Sequence, residues 1–143
     1  MKKVLFVCTG NTCRSPMAGA LAGRLAEEHG LALAVKTAGI FAFPGSPASD
    51  HAIAVMEEMG LDIRDHAAAP VTGELIDWAD WIITMTEGHK QQLLAAFPQA
   101  GEKEITSFSI PDPIGGTLED YRRTAQALLE ALNDILPRLK EES

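Results

Sequence analysis

Cysteine is scarce in this chain. Of 143 residues only Cys8 and Cys13 carry thiols. Two are too few for a disulfide framework, and their closeness near the N-terminus points to site chemistry. Positive charge is scarce as well: 12 Lys and Arg stand against 20 Asp and Glu, a formal net charge of −8. That balance excludes a general electrostatic footprint for nucleic acid, so any anion must be bound by a local site. No apolar run approaches the roughly 20 residues needed to span a bilayer. The two lysines before Val4-Leu5-Phe6-Val7 suggest a signal peptide, but the apolar stretch stops at Thr9, too early for one. Internal repeats, low-complexity tracts and long blocks of like charge are all missing. The rest is ordinary: 46% hydrophobic and 22% charged residues, enough chain to bury a core. The expectation is one domain over residues 1–143, cytoplasmic and monomeric, with neither nucleic acid nor membrane as partner.

Apolar runs and helix signals alternate along the chain. Val4 to Val7 reads as a strand buried on both faces. After the polar loop Thr9 to Arg14, Ser15-Pro16 predicts a helix start with Ser15 as N-cap. Met17, Leu21 and Leu25 continue that helix on one stripe to a left-handed cap at Gly30. Leu33 to Thr37 reads as a second strand, and Gly39 to Pro47 as a loop carrying Phe41 and Phe43. Ser49, Thr72, Thr86 and Thr117 predict further helix starts. Asp80 to Thr84 reads as a central strand and Glu104 to Thr106 as a short one. The last helix carries Leu118, Tyr121, Ala125, Leu128, Leu132, Ile135 and Leu139 on one face, and Pro137 is expected to kink or fray its last turn. Glu57, Glu58 and the tail Glu141-Glu142 read as solvated. Strands separated by helices predict an α/β fold: three layers, a small parallel sheet flanked by helices, with a phosphate loop after the first strand. Ligands bind beyond the carboxyl ends of such strands, where Cys8 to Ser15 lies.

That segment is Cys8-Thr9-Gly10-Asn11-Thr12-Cys13-Arg14-Ser15. A loop between a buried strand and a helix N-terminus can turn backbone N–H groups inward as an anion cradle, reinforced by the helix dipole. Gly10 and Asn11 are the residue types that most readily take positive φ, which a tight cradle needs. Arg14 supplies a planar fork for two phosphoryl oxygens. Cysteines in such surroundings ionise readily, and Ser15 can donate its hydroxyl to the sulfur of Cys8. The loop lacks the Gly-Lys-Ser/Thr ending of a nucleotide-binding P-loop and the C-x-x-C spacing of a redox motif, so both readings are disfavoured. There is no metal motif: His29, His51, His66 and His89 are scattered and read as surface or capping residues. No metal and no cofactor are expected.

Val4 to Ala18, with Cys8-x5-Arg14-Ser15, resembles the signature of the low-molecular-weight protein tyrosine phosphatases. The likeness continues through Thr37-Ala38-Gly39, His66, the stretch Asp80 to Met85, and Asp112-Pro113. It implies two-step nucleophilic catalysis without a metal. Cys8 would take the phosphoryl group as a thiophosphoryl intermediate. Arg14 and the loop from Thr9 to Arg14 would hold its oxygens, and Asp112 would serve as general acid and then base. On its own, Asp112-Pro113 before two glycines would read as an ordinary turn. Cys13 is a redox candidate, able to form a disulfide with oxidised Cys8, or simply a small buried residue.

Two departures bear on substrate. In the family it resembles, the eukaryotic-type enzymes carry a bulky aliphatic residue where Thr12 stands and an aromatic pair after Asp-Pro, whereas this chain has Ile114-Gly115-Gly116. Thr12 is similar to the bacterial protein-arginine phosphatase branch, which implies phosphoarginine in proteins as substrate, with phosphotyrosine as the alternative. Thr12 and Asp112 can accept the N–H groups beside a P–N bond, and an unpaired donor would cost about 1–3 kcal/mol. Phe41 and Ile114 are the candidate cleft walls, Phe41 by stacking on guanidinium; packing under the loop is the alternative for Phe41 and Phe43. An arsenate reductase of the relay type would need further cysteines after Cys13. A non-catalytic phosphoresidue reader would have no need of the full set Cys8, Arg14 and Asp112. Trp78 and Trp81 are assigned to packing, and Asp80 to the strand end or to Arg14.

Overall fold

The computed structural model describes residues 1–142, with side chains through Lys140; Ser143 and the side chains of Glu141 and Glu142 lie outside the described residues. The elements run β1 (Lys2–Cys8), α1 (Arg14–Glu28), β2 (Leu33–Gly39), α2 (Asp50–Glu58), α3 (Gly73–Trp78), β3 (Trp81–Thr84) and α4 (Glu87–Ala96). A 3-10 turn (Pro98–Glu102), β4 (Glu104–Ser107) and α5 (Leu118–Glu142) complete the chain. All four strands are parallel, in the order β2-β1-β3-β4.

Alternation along β1 sorts its side chains onto two cores, as a sheet covered on both faces requires. Val4, Phe6 and Cys8 face α1, α2 and α5, where Met17, Met56 and Leu128 are fully buried. Leu5 and Val7 face the other layer, against Ile76 of α3 and Leu93 of α4. Each such side chain contributes about 1.5–3 kcal/mol by leaving water. The expected α/β/α layering is therefore present, and no described helix is long and apolar enough to cross a membrane.

Helix starts follow local chemistry. Ser49, Thr72 and Thr86 accept from the backbone N–H groups of Ala52, Leu75 and His89. Thr117 and Asp120 cap each other's amides at the start of α5. Gly30 takes positive φ, 64°, just past α1. Two expectations need correction. Ser15 is not an N-cap: α1 begins at Arg14 with Cys13 at the cap position and no side-chain cap bond, because the Ser15 hydroxyl is engaged elsewhere. Pro137 does not fray α5, which stays helical through Glu142; Ile135, Leu136 and Leu139 are all buried around it, and their packing outweighs the one missing N–H. Of the two readings of Asp80, the strand end holds: it accepts from the Lys3 amide at 2.9 Å and so ties the start of β1.

The order β2-β1-β3 makes β1 the strand at which the connections change direction, and the crevice beyond its carboxyl end is where such sheets bind ligands. The end of β2 closes one side of it. Ile40 and Phe41 donate their amides to the carbonyls of Cys8 and Thr9, each at 2.9 Å. At Gly39 an added Cβ would lie 2.5 Å from the Thr9 carbonyl oxygen and 2.9 Å from the Asn11 amide nitrogen. Gly39→Ala must therefore displace the loop after β1. It is expected to destabilise by about 1–3 kcal/mol and to weaken inorganic phosphate binding, read by urea unfolding and by competitive inhibition. Unchanged phosphate affinity would contradict this packing.

Candidate active site

Three segments converge above β1: the loop Thr9 to Cys13, the start of α4 after β3, and the segment Phe108 to Gly116 after β4. Cys8, Thr9, Gly10, Thr12, Cys13, Arg14, Asp112 and Ile114 line one small pocket of about 100 Å³. A larger cavity of about 580 Å³ lies on the other side of the Asp112 segment, against α5, and shares only Asp112 and Ile114 with it.

The loop's shape depends on Asn11, the one described non-glycine residue with positive φ, 57°. Gly10 does not adopt positive φ, so only half of that expectation holds. Asn11 is fully buried and all of its side-chain polarity is used. Its Nδ2 donates to Ser15 Oγ at 2.7 Å and Thr37 Oγ1 at 2.9 Å, and its Oδ1 accepts from the Ala69 amide at 2.9 Å. The imidazole of His66 donates Nε2–H to the Asn11 carbonyl.

This arrangement sets a direction. An amide NH₂ only donates, so the Ser15 oxygen accepts from Asn11, and its own hydrogen is left to point at Cys8 Sγ, 2.9 Å away. The Asn11 backbone N–H reaches the same sulfur at 3.3 Å. Two donors thus face a buried sulfur at the N-terminus of α1.

Arg14 is itself buried and held on three sides. Nη1 donates to the Ile110 carbonyl at 3.0 Å, Nη2 to Thr9 Oγ1 at 3.4 Å, and Asp112 Oδ2 lies 3.5 Å from Nη2. Asp112 is 40% exposed at the rim, and its Oδ1 accepts from the Ile114 amide at 3.0 Å. The fork's plane is thereby set before anything binds, an economy in reorganisation.

The remaining expected residues divide. Thr12 lines the pocket. Cys13 also lines it and is buried, with Sγ 3.4 Å from Tyr121 Oη and 3.5 Å from Ser49 Oγ. Both cysteines are free thiols. Burial and the contact with Cys13 push the Tyr121 phenol above its ordinary value. Ile114 is 68% exposed on the pocket wall. Phe41 and Phe43 do not pack under their loop; they are 71% and 80% exposed. Phe41 is tethered to Thr9 through its backbone but is not among the residues lining the small pocket. Among the described residues no group of three or more His, Cys, Asp and Glu is placed to hold a metal ion.

His89 departs most from expectation. It is buried, with Nε2 2.8 Å from Thr9 Oγ1 and Nδ1 3.1 Å from Thr86 Oγ1. The only sequence signal was its place three residues after the capping Thr86. Burial and the nearby Arg14 charge push the imidazole below its ordinary value, with the Asp112 carboxylate opposing.

A thiol below a guanidinium, at a helix N-terminus and under a carboxylate at the rim, is the equipment of cysteine-based phosphoryl hydrolysis. The family profile described as low molecular weight phosphotyrosine protein phosphatase matches residues 3–143. The protein-arginine-phosphatase of Bacillus subtilis strain 168 is 37% identical over 147 residues, covering 97% of each chain. That of Geobacillus stearothermophilus is 40% identical over 148 residues, covering 98% of this chain and 97% of the relative. Among solved structures, a YwlE arginine phosphatase mutant with a phosphorylated active-site serine in place of cysteine matches with a TM-score of 0.92. It is 37% identical, over 96% of this chain and 95% of that one. The chain belongs to the low molecular weight phosphotyrosine protein phosphatase family.

The lowered His89 value carries a consequence for stability. The unfolded chain takes up a proton at this histidine as pH falls through about 6.5, while the folded chain resists until lower pH. Stability therefore falls with falling pH across that window and levels off below the folded value. In urea unfolding, His89→Gln should lose less stability than wild type on acidification through it. An identical pH slope in the two proteins would contradict the assignment.

Proposed function

We propose that this phosphatase hydrolyses phosphoarginine in proteins, with Cys8 as nucleophile, Arg14 as oxyanion holder and Asp112 as general acid and base. In the first step the Cys8 thiolate attacks phosphorus in line, the S–P bond forms and the P–N bond breaks. The proton of the Asp112 carboxyl group passes to the leaving guanidine nitrogen. In the second, the Asp112 carboxylate takes a proton from water, whose oxygen attacks phosphorus. The S–P bond breaks, orthophosphate leaves and the thiolate returns with its Ser15 and Asn11 donors in place. Arg14 and the loop from Thr9 to Cys13 hold the equatorial oxygens throughout. Phosphorylated proteins are the partners in this reading. In this reading residues 1–143 form a single catalytic domain acting as a cytoplasmic monomer.

The observation that carries the substrate choice is the pocket lining. Thr12 and Asp112 stand in the same small pocket as Cys8 and Arg14, and none of its lining residues is aromatic. A phosphoarginine brings N–H donors to the scissile bond, which two oxygen acceptors at the rim can satisfy. A phenol ring would gain no stacking partner within this lining. Ile114 supplies an aliphatic wall for the arginine stem, and Phe41, tied by its backbone to Thr9, is the candidate for stacking on the guanidinium. The names of the two bacterial relatives point the same way.

The competing substrate is phosphotyrosine, the one in the family's own description. Comparison of kcat/KM on phosphoarginine and phosphotyrosine peptides decides between them, with Cys8→Ser as the inactive control. The wild type is expected to prefer phosphoarginine. Thr12→Ile is expected to move the ratio toward phosphotyrosine by about tenfold, the worth of one unpaired donor. A wild-type preference for phosphotyrosine would overturn the substrate, and an unmoved ratio in Thr12→Ile would overturn the role of Thr12.

A further inference from the structure

Neither chemical step uses His89, yet both nitrogens of its buried ring are engaged, one of them with the phosphate loop. Thr9 Oγ1 is the shared atom: it lies 2.8 Å from His89 Nε2 and accepts from Arg14 Nη2 at 3.4 Å. Arginine can only donate, so a lone pair of the Thr9 oxygen must face the guanidinium. Where the Thr9 hydrogen then points depends on the imidazole.

We propose that His89 is a positioning residue for Arg14. Its Nε2 accepts the Thr9 hydroxyl hydrogen while its Nδ1–H donates to Thr86 Oγ1, which turns the Thr9 lone pair onto Nη2 and fixes the guanidinium plane. The chain of donors then runs one way, from Arg14 through Thr9 and His89 to Thr86. The neutral ring suits this arrangement, since a protonated one would have no lone pair for the Thr9 hydrogen. The charged groups acting on the ring are Arg14, which disfavours its protonation, and Asp112, which favours it.

A purely structural role for His89 would need only the α4 cap, which Thr86 already supplies through the His89 backbone amide. The Nε2 contact instead crosses 80 positions of sequence to the loop that holds the proposed nucleophile. The inference rests on the reading that Arg14 binds the phosphoryl group in the transition state.

The test is a double-mutant cycle on p-nitrophenyl phosphate with His89→Ala, Thr9→Val and the pair. Each single variant should lower kcat by about tenfold, with KM and the inhibition constant of inorganic phosphate moving less than about threefold. The pair should lose no more than either alone, because the two side chains act as a unit. His89→Gln, whose side-chain oxygen can accept the Thr9 hydrogen, should recover most of the rate. Losses that multiply to about a hundredfold would overturn the proposal. So would wild-type kcat per folded molecule with only a lowered unfolding midpoint. Should His89→Ala not fold, Thr9→Val carries the test, since it leaves the imidazole in place: wild-type kcat in that variant overturns the proposal. Wild-type turnover that Cys8→Ser abolishes keeps the underlying phosphatase reading intact whichever way the cycle falls.

Discussion

The site depends on the polarity of one hydrogen-bond chain. Asn11 sits in the left-handed region at φ 57°, a conformation that Asn tolerates better than most residues. From there its amide nitrogen donates to Ser15, so that Ser15 in turn can donate to Cys8. Reversing any link would aim a lone pair at the sulfur. The remaining contacts of Asn11, from Ala69 and His66 and to Thr37, draw the end of β2 and the segment after α2 into the same support. The tightness at Gly39, where no Cβ fits beside Thr9 and Asn11, belongs to this constraint.

The fold brings the second half of the site from far along the chain. Parallel strands in the order β2-β1-β3-β4 put the loops after β1, β3 and β4 at one end of the sheet. Arg14 can therefore be held by the Ile110 carbonyl while Thr9 meets His89. Cys8 and Arg14 are both nearly buried, whereas Asp112 remains at the rim. That division fits the proposed roles, in which the nucleophile and oxyanion holder stay fixed and the proton carrier meets water. In the proposed reaction, substrate selection would fall to the pocket margin, where Thr12 and Ile114 stand.

Much of this was legible in sequence because it is local. The caps at Ser49, Thr72 and Thr86 need only the next turn of chain, and the run Cys8 to Ser15 carries its own chemistry by spacing. Local signals misled where a distant partner outbid them. Ser15-Pro16 has the form of a helix start, but the Ser15 hydroxyl binds Cys8 and Asn11 instead. Pro137 has the form of a fraying point, but the buried residues around it keep α5 helical past it. His89 was illegible for the same reason: nothing within its own turn reveals that Thr9 waits beside its ring. Phe41 and Phe43 were ambiguous between packing and exposure, a matter decided only by how the loop after β2 lies on the phosphate loop.

The chemistry turns on whether the Cys8 sulfur itself carries the phosphoryl group. Asp112→Ala, deprived of the base for the second step, should accumulate the intermediate when mixed with p-nitrophenyl phosphate and quenched. Peptide mass spectrometry should then find phosphate on Cys8, with none in the Cys8→Ala/Asp112→Ala double variant. Phosphate on another residue, or continued turnover in the double variant, would contradict a sulfur nucleophile at the floor of this pocket.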